Sequence, residues 1–441
     1  MKRLLIQLSK IMSVRVLAIG LSFLQAIVLT RVLGGQLFGV LSFALSIGAF
    51  FMLVLSFGVD QVIMRDIARF GPERVAATTT WRADWALVRR LVAPATLGAA
   101  LIGVVVCLTT DWLGIYSVAT AAALAILPAA MARKYLESVM LGAKEVVRSV
   151  LGSQVIYPLL MLLGGATIMA FALQPSVELI SAVYILATAG SLGLSAVLAL
   201  VVFRRLRRGA DGATIDNNPG ERAVFKSSLH FAMVSLGFVM GQHVDVLLTG
   251  ALAAPEDVSI VRIASRVAEL AALMRAIVVL QYKPQLAEAH GMGDTEGLQK
   301  IVSTMALIFV ATGLPLTVGL WAFAEQVMAV FGPEFVDGAW AMRVYVLGIF
   351  FTLVCGPCTV LLSMSGQERL ASRIVWIALG LNIIFDLMLI PLYGPLGCAF
   401  ANLISLCFIG VASVLADSRI LRIYPTIVTA ILQLVVKAPK L

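Results

Sequence analysis

Charged side chains are scarce in this sequence. Asp, Glu, Lys and Arg make up 13% of its 441 residues, 61% are hydrophobic, and the mean hydropathy is +1.00. A soluble domain of this size carries about twice that share of charge, so a water-soluble fold is excluded. Histidine is nearly missing, with three residues, and no metal-ligand cluster can be built by spacing. The chain also lacks a P-loop, a nucleophile–base signature and a long outer loop. These absences argue against an enzyme and against a resident cofactor or metal.

Long apolar runs fill the space instead. Twelve of them stand at roughly 12–32, 37–60, 87–108, 112–132, 150–172, 178–203, 224–250, 259–282, 301–323, 340–364, 371–393 and 395–416. Each is long enough to cross a hydrocarbon core of about 30 Å as a helix. Backbone in lipid must satisfy its own hydrogen bonds, which selects helices over open strands. The net charge of +9 could suggest nucleic acid, but its placement says otherwise. Basic residues gather on alternate connections: Arg65, Arg69 and Arg74 after the second run, Arg133, Lys134, Lys144 and Arg148 after the fourth, Arg204, Arg205, Arg207 and Arg208 after the sixth. This positive-inside pattern predicts an even number of spans, both termini cytoplasmic, and no nucleic-acid partner. The start, MKRLLIQLSKIMSVRVLAIG, resembles a signal peptide, but Lys10 and Arg15 interrupt its apolar region and no cleavage site follows, so the first span is expected to stay.

The stretch RRLRRGADGATIDNNPGER, residues 204–222, combines a charge run with Gly, Asp, Asn and Pro, and reads as a cytoplasmic linker. Six runs precede it and six follow. The expected division is an N-terminal six-helix lobe at 1–203, the linker at 204–222, a C-terminal six-helix lobe at 223–416 and a cytoplasmic tail at 417–441. The halves echo each other at a shift of about 220 positions, with VLTRVLGGQLFGVLSFA (28–44) over VLLTGALAAPEDVSIVRIA (246–264). The fold expected is an all-α membrane protein of about twelve transmembrane helices in two pseudo-symmetric six-helix lobes, an arrangement with which many transporters build a cavity between halves.

One motif invites a different reading. Cys355-Gly356-Pro357-Cys358 matches the dithiol of a thioredoxin active site. Its flanks, FFTLV and TVLLSM, place it inside the tenth apolar run, with nothing electropositive nearby to favour a thiolate. It is expected to be a kinked helix. Cys107, Cys398 and Cys407 also lie in apolar runs, as small hydrophobes.

Ionisable groups inside a span are costly and mark a pathway or a pair. The eighth run, VSIVRIASRVAELAALMRAIVVLQY, places Arg262, Arg266 and Glu269 on one face at i, i+4 and i+7. They form either an internal salt bridge or a cationic cavity wall, and the wall is favoured. In the seventh run Asp245 either pairs with an arginine of the next helix or binds a coupling cation or proton, and pairing is favoured. His230 and His243 are expected to be packing histidines, with His230 kept as a cavity candidate. Gln25 and Arg31 lie along the first run, Arg65 where the second meets the cytoplasm. Asn382 and Asp386 share a face of the eleventh run, where an interhelical hydrogen bond is the plain expectation and a coupling role the alternative.

TRVLGGQLFGVLSFALSIGAFF with SFGVDQVIMRDIAR resembles the first two helices of the Wzx-type polysaccharide flippases, within the multidrug/oligosaccharidyl-lipid/polysaccharide exporter superfamily. VDVLLTGALAAPEDVSIVRIASRVAEL is similar to its seventh and eighth helices. FGPEFVDGAW, GPCTVLLSMSGQ and LNIIFDLMLIPLYGPLGCAFAN are similar to its last third. The resemblance spans roughly residues 10–416. It implies a multi-pass protein of a bacterial inner membrane that carries an oligosaccharide on a polyprenyl diphosphate from the cytoplasmic to the periplasmic leaflet by alternating access, for O-antigen, capsule or exopolysaccharide synthesis. Partners implied are that lipid-linked oligosaccharide, membrane lipids and a glycan polymerase. Arg31, Arg65, Arg262 and Arg266 would hold the head group, because Arg grips phosphate bidentately in a low-dielectric cavity. Gln25 and Asp245 would be polar lining, and Glu269, His230, Asn382 and Asp386 coupling or cavity groups. Two rivals stand: a cation-coupled multidrug exporter of the same superfamily, and a membrane glycan polymerase or ligase built on Glu325, Glu334, Asp337 and Arg343.

Overall fold

The computed structural model describes residues 2–71, 79–209, 221–427 and 429, and every regular element among them is helical. The chain divides into two units, Met1–Val239 and Met240–Leu441. The first unit contains α1 (Lys2–Ser56), α2 (Val59–Phe70), α3 (Thr79–Leu87), α4 (Ala93–Thr109), α5 (Ser117–Ala125), α6 (Leu127–Gly142), α7 (Val146–Val150), α8 (Ile156–Ala170) and α9 (Val177–Gly209). α10 (Glu221–Leu252) begins in the first unit and ends in the second. The second unit continues with α11 (Pro255–Ala268), α12 (Leu273–Gly291), α13 (Thr295–Ala322), α14 (Ala324–Phe331), α15 (Ala339–Val354), α16 (Cys358–Met364), α17 (Glu368–Tyr393) and α18 (Pro395–Ala416).

Among the described residues, eight helical stretches are long and apolar enough to cross a membrane, or ten when two bent pairs are each taken as one span. The count of twelve is not reached by this measure, and the reasons are local. The first two expected spans run as one helical stretch, Ser13–Ser56, interrupted at Gly34, where φ is 69° and ψ is 175°. Its 44 residues would measure about 66 Å as a straight helix, twice the hydrocarbon thickness. The fourth and seventh expected spans are bent, by 46° between α5 and α6 and by 49° within α10. The eighth is interrupted by a 3-10 turn at Glu269–Ala272, between α11 and α12.

Two glycines show why the breaks fall where they do. Gly58 opens α2 with φ 71°, and a Cβ there would collide with the Ser228 carbonyl of α10. α2 also buries Val59, Ile63 and Ile67 against Val139 and Met140 of α6. Gly356, at the break between α15 and α16, has φ 73°, and its missing Cβ leaves room for the Pro425 carbonyl. The Cys355–Cys358 motif is therefore a break in a span, and both thiols are buried.

The connection after the fourth run differs from expectation. Arg133 and Lys134 lie inside α6, as part of the bent span rather than a loop. Partners make this tolerable: Lys134 pairs with Asp60 at 3.4 Å, and Arg133 donates to the Ser153 carbonyl at 2.9 Å. Ser153 belongs to the π-helical turn Leu151–Val155, a geometry that loosens the backbone ladder and leaves acceptors for such a donor.

Part of the expected tail is built into the second unit. After the turn Asp417–Leu421 the chain doubles back, and Ile423 sits 1% exposed in a core with Leu286, Met305, Phe309, Leu353 and Leu361. Gln299 of α13 holds Tyr424 by both backbone groups, accepting from its N–H at 2.9 Å and donating to its carbonyl at 3.0 Å. Most of the linker (210–220) and of the tail (428 and 430–441) lies outside the described residues.

Candidate functional site

In the second unit, the polar residues of the seventh, eleventh and twelfth expected spans meet. Asp245 of α10, 5% exposed, accepts from the Tyr345 hydroxyl of α15 at 2.9 Å and from Asn402 of α18 at 3.3 Å, both through Oδ2. Thr249, one turn on, donates to the Asp245 carbonyl at 2.7 Å. Asp386 of α17, 0% exposed, accepts from Asn382 at 3.2 Å. Cys398 of α18 lies 3.3 Å from the Tyr345 hydroxyl. One carboxylate oxygen of Asp245, one of Asp386 and the Cys398 sulfur all lie within 4.8 Å of one another.

This arrangement corrects one expectation. Asp245 takes a phenol and an amide as partners instead of an arginine: among the described residues no Lys or Arg pairs with Asp245 or Asp386. Asn382 bonds along its own helix at 3.2 Å, and both Asn382 and Asp386 also interact with Asp245 across the helices. Oδ1 of each aspartate is buried and has no hydrogen-bond partner. Two carboxylates this close, enclosed and without a basic neighbour, need a positive charge between them, because burying an uncompensated charge costs several kcal/mol. The donor set of two carboxylate oxygens, an amide, a phenol and a thiol could surround a small cation or share a proton.

A cationic group lies elsewhere in the second unit. His243, two residues before Asp245 and so about 200° round the helix, is half-buried and within electrostatic reach of Arg262 and Arg266 of α11. Arg262 is half-buried, and Arg266 is exposed and pairs with Glu269 at 3.4 Å. Arg275, set apart from them in α12, donates to Thr352 at 3.2 Å. The side chain of His230 lies outside the described residues.

In the first unit Arg31 is exposed on α1 three residues before the Gly34 break, and Gln25 is half-buried on the same helix. Arg65 of α2 binds Asp66 at 2.8 Å and Ser227 of α10 at 2.8 Å, and stands over the Phe231 ring at 5.8 Å. The structure thus gathers Asp245, Asn382 and Asp386 at one place, and Arg262, Arg266 and Glu269 at another. Gln25, Arg31 and Arg65 belong to the first unit, and both of these groups to the second. Tyr345 and Asn402 went unnoticed in the sequence, and Cys398 was read only as a small hydrophobe. Asn402 carried a faint signal, as an amide in the apolar run GPLGCAFANLISL.

The helical arrangement is similar to that of solved transporters of the multidrug/oligosaccharidyl-lipid/polysaccharide (MOP) superfamily. Over 96% of this chain and 92% of the other, it is similar to the lipid II flippase MurJ in an inward closed conformation, with a TM-score of 0.57 at 14% identity. It is similar to a superfamily transporter from Pyrococcus furiosus Vc1 (DSM3638) over 93% and 92% of the two chains, at 0.53 and 16%, and to an inward-facing multidrug resistance MATE transporter over 92% and 94%, at 0.56 and 14%. By sequence, residues 7–281 match the polysaccharide biosynthesis protein family, and the chain belongs to it. Residues 231–388 also match the MatE family. A curated relative from Haloferax volcanii, described as the probable low-salt glycan biosynthesis flippase Agl15, is 23% identical over 185 residues, which cover 42% of this chain and 39% of the relative.

Proposed function

We propose that this protein is a flippase that moves a polyprenyl-diphosphate-linked oligosaccharide from the cytoplasmic to the periplasmic leaflet of a bacterial inner membrane, by alternating access and with both termini cytoplasmic. The observation that carries this reading is the split of charge within the second unit, with Arg262 and Arg266 on α11 at one place and the buried Asp245–Asp386 pair at another. A diphosphate is a dense anion, and guanidinium groups bind it through charge-assisted, bidentate hydrogen bonds. Arg262 and Arg266 serve it in the second unit, Arg31 and Arg65 in the first, with Gln25 lining the path of the glycan. The aspartate pair holds the coupling cation or proton, assisted by Asn382. Membership of the polysaccharide biosynthesis protein family supports a glycan cargo, as does the description of the Haloferax relative as a glycan flippase.

The direct test compares cells with and without the protein. Polyprenyl-linked glycans are extracted and assigned to a leaflet by a membrane-impermeant glycosidase. The expected result is a complete repeat unit accumulating on the cytoplasmic side; single units stranded on the periplasmic side would point to a polymerase or ligase. In the protein itself, Arg262→Ala with Arg266→Ala should cut export at least 100-fold, since each charged hydrogen bond contributes about 1.5–3 kcal/mol. Full export by that variant would sink the cationic grip. A second reading, a cation-coupled drug exporter, draws on the MatE match, which covers the span holding Asp245 and Asp386. Drug susceptibility that changes on deletion, with no glycan accumulating, would favour it.

A further inference from the structure

The segment between α13 and α15 holds a cluster that the transport reading does not use. Arg343 of α15 lies over two indole rings, 5.6 Å from the centroid of Trp321 and 4.7 Å from that of Trp340. Its Nε donates to the Trp321 carbonyl at 3.2 Å, and its Nη2 to Glu325 Oε1 at 3.1 Å. The guanidinium is thus held at both ends, and it fixes two indoles and a carboxylate in one orientation. These groups still face outward: Trp340 is 61% exposed, Trp321 43%, Phe323 60% and the Glu325 side chain 58%. Gln326, Glu334 and Asp337 are exposed on the same short segment.

We propose that this cluster is a glycan-binding platform. An aromatic face takes up the C–H face of a sugar ring, and carboxylate and amide groups around it bond the hydroxyls. The segment offers both, already oriented by the Arg343 contacts, which lowers the ordering cost of binding. Its charge also selects against the usual alternative for surface tryptophans, an aromatic belt among lipid headgroups. Glu325, Glu334 and Asp337 outweigh Arg343, so the segment is negative and repels an anionic lipid surface, while an uncharged polyhydroxylated chain meets no such penalty. The platform stands at the end of α13 opposite the Gln299–Tyr424 bonds. Along α13 (Thr295–Ala322), the rise from Gln299 to Trp321 is about 33 Å, which matches the thickness of the hydrocarbon core. With the tail cytoplasmic, as proposed above, the platform meets the glycan on the periplasmic side as it leaves. This inference rests on that reading for the source of the glycan.

The test uses the full chain in nanodiscs and, as probe, oligosaccharides released by partial acid hydrolysis of the producing cell's own surface polysaccharide. Trp340→Leu, which keeps an apolar anchor but removes the ring, should weaken binding about tenfold. Trp340→Phe, which keeps a ring, should stay within about twofold, and Glu325→Gln should weaken binding while leaving the indoles in place. The emission of Trp340, taken as the difference between the wild type and Trp340→Phe, should respond to acrylamide but not to brominated lipid in vesicles of phosphatidylethanolamine and phosphatidylglycerol. Unchanged binding by Trp340→Leu, or quenching by brominated lipid, would overturn the proposal and leave a membrane belt. The double variant Arg262→Ala, Arg266→Ala separates the two readings: with the platform intact it still binds the free oligosaccharide. If that variant also exports normally, the arginine grip fails while the platform stands.

Discussion

Replacing Asp386 by Asn tests the buried aspartate pair most sharply, because fold and function should respond in opposite directions. Asn has the same shape, and its carbonyl can still accept from Asn382, the bond that Asp386 now takes at 3.2 Å. What disappears is one of two carboxylates in a space with no basic neighbour. Without a cation, removing that charge relieves repulsion, so the melting temperature of the variant should equal or exceed that of the wild type. With a cation, the loss is the attraction between a unit charge and a carboxylate about 4 Å away. At an effective dielectric constant of 20 that attraction is about 4 kcal/mol, or roughly a thousandfold in affinity. The measurement is thermal unfolding of the purified protein over a sodium series and a pH series, with glycan export in cells as the functional readout. The wild type should be stabilised by one of the two series, and the variant by neither, with export lost. A variant that unfolds readily under every condition would make Asp386 a structural residue. A variant that exports normally and keeps its response to the ion would refute the coupling role outright.

Other expectations follow from single features. Cys355→Ser with Cys358→Ser should leave export unchanged, and export by the wild type should not respond to a membrane-permeant reductant; a redox response would revive the dithiol reading. Gly356→Ala should destabilise the second unit by more than the 1 kcal/mol or so that a left-handed backbone costs a non-glycine residue, because its Cβ also displaces the Pro425 carbonyl. Faster proteolysis after residue 421 would register that displacement.

The sequence showed the membrane class, the basic alternation and several of the polar residues, because each is a property of one run of chain. Asp245, Asn382 and Asp386 stood out as charges or amides in apolar surroundings, whatever they touched. Their neighbours did not. Tyr345 looks like any aromatic in a span and Cys398 like any small hydrophobe, and only the packing of α10, α15, α17 and α18 gives them a role. The same limit explains the errors. Asp245 was matched with an arginine because arginines were the nearest opposite charges along the chain, whereas the fold supplied neutral donors from residues 100 and 157 positions away. Arg133 and Lys134 were read as a loop because charge was taken to end a span, and Asp60 and the Ser153 carbonyl that support them come from other helices.

The way Ile423 is held also bears on how the protein is made. A chain emerges from its N-terminus, and early parts generally fold first. In the second unit, however, Leu286, Met305, Phe309, Leu353 and Leu361 close around a residue made only after α18. Until Ile423 arrives, their packing keeps a gap the size of one large side chain, which costs about 2–5 kcal/mol. The half-made unit therefore waits in the membrane, incompletely packed, until α18 is inserted and the chain has turned back. A chain cut short a few residues before this point keeps α10 to α18 but leaves the second core open.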